Sequence, residues 1–125
     1  MNIPLNEGAW RGCPDRQIMS ARARAVRQAL GYSTKDVSDS AKIPYQVLTQ
    51  MGHPRGCLTE ETAEKMAKLF IARGTAVTPQ YLMEGRAHGI SSELVRSVDA
   101  IMAIGGIVTD KQALRFVRKA KAAAQ

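Results

Sequence analysis

Cysteine is almost missing from this chain: only Cys13 and Cys57 occur in 125 residues. Two thiols are too few for a disulfide framework, and a reducing compartment disfavours even one bridge. Cys57 follows His53 at a four-residue spacing that suits two metal ligands on one helical face. Pro54 and Gly56 stand between them and argue against that helix, so no metal is expected. Aromatics make up 5% of the chain, too few for the exposed stacking platforms on which single-stranded RNA recognition depends. No apolar run is long enough to span a bilayer. The opening MNIPLNEGAWRGCPDR has no hydrophobic core of the signal-peptide kind, so a cytoplasmic location is expected. Alternating β-branched residues are lacking as well, which points away from strands and toward an all-α protein. A Gly-rich phosphate loop, a carboxylate pair on a defined cleft and a Cys–His dyad are all missing. No catalytic residue and no cofactor are therefore expected, and the chain is read as a non-enzyme.

What the chain does have is apolar content for a core, at 45%, and a surplus of cations. The formal net charge is +7 and the sequence pI about 9.9. Residues 1–30 carry five basic and two acidic groups, residues 31–90 seven and six, and residues 91–125 six and three. The two ends are thus more basic than the middle, which favours a polyanionic partner, although a solvated basic surface alone has the same charge pattern.

Helical periodicity organises most of the chain. Residues 1–14, rich in Gly, Pro and Asn, are expected to form a flexible arm. Asp15 suits the start of a helix running to about Leu30, with Gly31 as its stop and Met19, Ala23, Val26 and Leu30 as its buried stripe. Arg16, Arg24 and Arg27 fall on its other side, either as a solvated face or as an edge turned toward phosphates. Ser33 and Asp36 resemble a capping box for a second helix whose apolar face is Val37 and Ala41. After a break at Lys42-Ile43, Pro44 opens a third helix, buried through Val47, Leu48 and Met51. Gly52, Pro54 and Gly56 end it. Thr59 starts another, with Ala63, Met66, Ala67, Phe70 and Ile71 inward, and Thr78-Pro79 opens one short turn closed by Gly85. Residues 86–91 read as a boundary. Beyond it lie two helices separated by Gly105-Gly106, the second opened by a Thr109–Gln112 capping box.

The segment STKDVSDSAKIPYQVLTQM, residues 33–51, has the layout of two short helices around a tight turn. With the closing TPQYLMEG it resembles the lambda-repressor-like helix–turn–helix group, including Cro and Xre-type regulators, over residues 15–86. Thr34 falls where that group carries a phosphate-contacting Gln, Ile43 matches its branched aliphatic in the turn, and Leu48 and Met51 match the positions that dock its second helix. Two positions depart. Ser38 replaces a small Ala at the helix crossing and must find a hydrogen bond. Lys42 replaces a Gly of positive φ, at a cost of about 1 kcal/mol if the turn keeps its shape.

The resemblance implies a five-helix DNA-binding domain at 15–86 with its second helix in the major groove. Tyr45, Gln46, Thr49 and Gln50 are then the base-reading candidates, and Thr34, Lys35, His53 and Arg55 the phosphate-binding ones, joined by arginines of the first helix. Residues 91–125 are expected to form a helical hairpin whose apolar face, Leu94, Val98, Ile101, Leu114 and Val117, makes a homodimer interface. On that basis removal of residues after Ser91 should leave a folded monomer. The expected function is a phage- or prophage-type repressor, bound as a dimer to a palindromic double-stranded operator. The alternative is an antitoxin or adaptor whose hairpin grips a protein partner, a toxin or an antirepressor, with autoregulation through DNA. About forty residues follow Arg86, too few for the self-cleaving peptidase of some phage repressors.

Overall fold

The computed structural model describes the backbone of residues 15–51, 58–104 and 108–124, and side chains between residues 17 and 119. All regular elements among the described residues are helices: α1 Asp15–Ala29, α2 Thr34–Ala41, α3 Tyr45–Gln50, α4 Glu60–Ala72, α5 Pro79–Glu84, α6 Ser92–Met102 and α7 Asp110–Ala124. The caps follow the sequence closely. The hydroxyls of Ser33, Thr59, Thr78 and Ser91 each accept from the backbone N–H three residues on. Thr109 and Gln112 complete a reciprocal box, Gln112 N–H donating to the Thr109 hydroxyl at 3.2 Å and Thr109 N–H to the Gln112 carboxamide at 3.0 Å. Gly31, at φ 80°, closes α1 by letting Tyr32 N–H return to Arg27 O at 3.2 Å.

Helix α1 is the centre of the molecule, packed by α5, α6 and α7. Its burial is correspondingly wide. Ile18, Ala23, Ala25 and Val26 are inside, but so are Ser20, Arg22, Arg27 and Gln28. Met19 and Leu30, expected in the buried stripe, are only partly buried. α4 contributes Ala63, Met66, Ala67 and Phe70 to the same cluster, and α5 contributes Tyr81 and Leu82 as core plugs. Ile71, expected inward, is exposed, because α4 is covered on one side only.

The hairpin α6–α7 packs on α1 and belongs to this one core. Val98, Ile101 and Val117 are 1%, 3% and 5% exposed, with Met102, Val108 and Ala113 beside them. Polar anchors reinforce the packing. Arg24 donates to Val108 O at 2.9 Å, and Gln28 donates to Val108 O at 2.7 Å and to Asp110 at 3.0 Å. Arg27 makes a bidentate pair with the Asp110 carboxylate at 2.8 and 3.0 Å while donating to Tyr32 O at 2.7 Å. This corrects the reading of Val98, Ile101 and Val117 as a surface for a second copy: α1 already covers them. Leu94 is partly buried and Leu114, 46% exposed, faces outward. The inner face of α7 is instead Ala113, Phe116 and Val117.

Candidate nucleic-acid interface

Helices α2 and α3 pack against each other across a turn built by Ala41, Lys42, Ile43 and Pro44. Lys42 caps α2 in the left-handed region, φ 57° and ψ 47°, the sole non-glycine positive φ among the described residues. The turn therefore keeps the shape that a glycine would take, and the lysine bears the strain. Ile43 N–H donates to Ser38 O at 3.1 Å, and the Ser38 hydroxyl donates to Ile43 O at 2.6 Å. Ser38 thus binds the turn from both its backbone and its side chain. Ile43 is buried beneath it, at 3% exposure. Pro44 sits at the N-cap of α3 rather than inside its first turn, one residue from the expected boundary.

The start of α2 is tied to the end of α4. The Asp36 carboxylate accepts two bonds from Arg73, at 2.6 and 3.0 Å, and one from the Ser40 hydroxyl at 3.1 Å. It serves this strap in place of the reciprocal half of a capping box. The Arg73 guanidinium also lies over the Tyr32 ring, 4.6 Å from its centroid, and that ring stacks on Phe70 at 5.9 Å. Hydrogen bonding from Arg73 holds the Asp36 carboxyl below the usual carboxylate range, and Asp36 in turn pushes the Arg73 guanidinium up.

Against this frame α3 has one buried and one solvent side. Leu48 and Met51 are buried and Val47 half-buried, whereas Tyr45, Gln46 and Gln50 are exposed, Tyr45 at 53%. Thr49 is half-buried, and its hydroxyl donates to Gln46 O at 3.0 Å. Its only hydroxyl proton is therefore spent, leaving an acceptor and a methyl. Of the phosphate-binding candidates, Lys35 is exposed in the first turn of α2 and Thr34 half-buried at its first position. His53 and Arg55 lie outside the described residues, as does the loop that carries them. Lys42, which the sequence raises only as a backbone problem, is exposed between the two helices and adds a cation there. The signal for it is its own charge.

Arg22, Arg24 and Arg27 of α1 are not part of this surface. Arg24 and Arg27 hold the hairpin, as described. Arg22, at 1% exposure, donates to Leu82 O at 3.2 Å and lies against Gly85, the left-handed residue that ends α5. An arginine aimed at the last carbonyls of a helix is well placed for the negative end of its dipole. Burial pushes the Arg22 guanidinium down, and burial raises both Tyr81 and Asp99, which lie close enough to feel its charge. Phosphate contact from Arg22, Arg24 and Arg27 is thereby withdrawn, because each guanidinium is held inside the fold by a carbonyl or carboxylate. The Arg16 side chain lies outside the described ones.

No family model matches the chain, and no curated protein or solved structure matches it either. Among the described residues no group of three His, Cys, Asp or Glu is placed to hold a metal ion. Nor is any helix among them long and apolar enough to cross a membrane.

Proposed function

We propose that the chain is a sequence-specific DNA-binding regulator of the lambda-repressor-like helix–turn–helix kind, with α3 as its reading helix. One observation carries this: α3 is docked through Leu48 and Met51 while Tyr45, Gln46 and Gln50, polar and uncharged, stand free on its other side. Such side chains match the donor–acceptor pattern of base edges, glutamine bidentately with adenine. A short helix entering the major groove by its first residues puts Tyr45 and Gln46 deepest, with Thr49 offering its methyl to thymine. Lys35, Thr34 and Lys42 supply phosphate contacts from the start of α2 and from the turn. The net charge of +7 supports a polyanionic partner.

A repressor acting on an operator remains the proposed role, and the operator is double-stranded DNA. The covered face of the hairpin removes the observation on which a dimer through Val98, Ile101 and Val117 rested, so the reading does not depend on two-fold symmetry. The same burial weakens the antitoxin or adaptor alternative, which needs that face for a partner. Selection of bound duplexes from a random pool tests the proposal. A recovered consensus, whose preference is lost in Gln46→Ala while random-duplex binding is kept, supports it. A pool that stays random after selection sinks it.

A further inference from the structure

The outer face of α7 is a band of cations that the α2–α3 reading does not use. Lys111, Arg115, Arg118 and Lys119 are all exposed. At 100° per residue they fall within about 100° of arc, along roughly 12 Å of helix. None pairs with a carboxylate among the described side chains: the ion pairs there engage Arg27, Lys65, Arg73 and Arg86. The one acidic residue of α7, Asp110, is half-exposed but already paired with Arg27 and Gln28. The fold thus takes the single neutralising charge out of the band.

The band also has a position. Arg27 bonds both Asp110, the first residue of α7, and the carbonyl of Tyr32, the residue before the α2 cap Ser33. The starts of α2 and α7 are therefore one guanidinium apart. Lys111 begins its band at the end of the molecule where Thr34 and Lys35 begin theirs.

We propose that this face of α7 is a second phosphate-binding surface, gripping the backbone of double-stranded DNA beside the phosphates held by α2. The proposal rests on the DNA-binding reading above and extends it to a helix outside the two-helix unit. Charge complementarity selects the occupant: duplex DNA carries about one negative charge per 1.7 Å of axis, which matches a row of unpaired cations. An anionic membrane is the poorer fit. A helix lying in a lipid interface must free its apolar face, and here Ala113 and Val117 are buried, leaving Leu114 as the exposed large apolar side chain on α7.

The test compares two pairs of substitutions in the full chain, each removing two charges. Lys111→Gln/Arg115→Gln lies in the band; Lys68→Gln/Arg96→Gln removes exposed cations of α4 and α6 outside it. Circular dichroism and melting establish that both remain folded. Affinity for a random-sequence duplex is then followed against NaCl. The band pair is expected to flatten the log–log slope by about two units, near 0.9 for each phosphate no longer neutralised, and the other pair by much less. Equal flattening by both pairs overturns the band, since net charge alone then explains it. A wild-type slope that Lys111→Gln/Arg115→Gln leaves unchanged overturns the band while the regulator reading stands. A wild-type chain that binds no duplex overturns both. Band-dependent capture by phosphatidylserine vesicles, with duplex binding untouched, assigns the face to lipid instead.

Discussion

A lysine in the left-handed region is a small structural fault that only a functional or historical reason would preserve, and Lys42 is both strained and exposed. Lys42→Gly should raise stability by about 0.5–1 kcal/mol, since relief of the Cβ–carbonyl clash exceeds the entropy glycine adds to the unfolded chain. Urea melts measure this, and an unchanged or lower midpoint would show that the strain is illusory. The same change should weaken duplex binding if Lys42 meets a phosphate. On the proposed reading face, Gln46→Ala should cost about 1–3 kcal/mol on the selected duplex and little on a random one. Equal losses on both would take Gln46 off the base-reading set. Ser38 shows how far residue-level reasoning reaches. Its need for a partner is legible, because a buried hydroxyl requires one. Its partner, the carbonyl five residues on, is not, since that depends on the lysine completing a glycine-shaped turn.

At the scale of elements, the helices and their caps can be read almost directly, because capping and periodicity are local. What α1 does cannot. Side-chain type alone turns its arginines toward solvent or phosphate, yet Arg22, Arg24 and Arg27 each reach a carbonyl or carboxylate far along the chain. Sequence spacing carries no sign of a partner eighty residues away. The hairpin misleads for the same reason: its apolar face is visible, but the helix that covers it looks too polar to do so. Arg27, with a side chain 4% exposed, makes the strongest test. Arg27→Ala takes the guanidinium from Tyr32 O and leaves Asp110 with Gln28 alone, and should destabilise by about 1.5–3 kcal/mol, the range for hydrogen bonds to charged groups. A loss below about 0.5 kcal/mol in denaturant titration would mean the clasp is incidental.

For the molecule as a whole, the shared core predicts that residues after Ser91 cannot be removed cleanly. Truncation there strips α1 of the cover given by Val98, Ile101, Val108 and Val117, each worth roughly 1.5–3 kcal/mol of burial. It also leaves Arg24 and Gln28 without partners and takes Asp110 from Arg27. The fragment should melt at least about 10 °C lower, or without a cooperative transition. A fragment as stable as the full chain would restore the separate-extension view. Acid stability follows from two carboxylates of opposite tendency. The Asp110 carboxyl is held down, chiefly by its hydrogen bonds from Arg27, so its contribution is present above the ordinary carboxylate pKa of about 4 and fades as pH falls. Asp99 is held up by burial, so its contribution is full in acid and lost as pH rises through its folded pKa. Asp99→Asn should therefore raise the melting midpoint at neutral pH and leave it unchanged well below about pH 4, whereas Asp110→Asn should flatten the acid limb. Midpoints across pH check both signs.

Tyr32 takes Arg27 on its carbonyl and Arg73 on its ring. Through that one residue the first turns of α2 and α7 and the last turn of α4 share fastenings. Fraying of any of them loosens the others, so the three ends should open together rather than one by one. In native-state hydrogen exchange their amides should then fall into a single protection class, and weakening Asp110 should speed exchange at the start of α2, a segment it never touches.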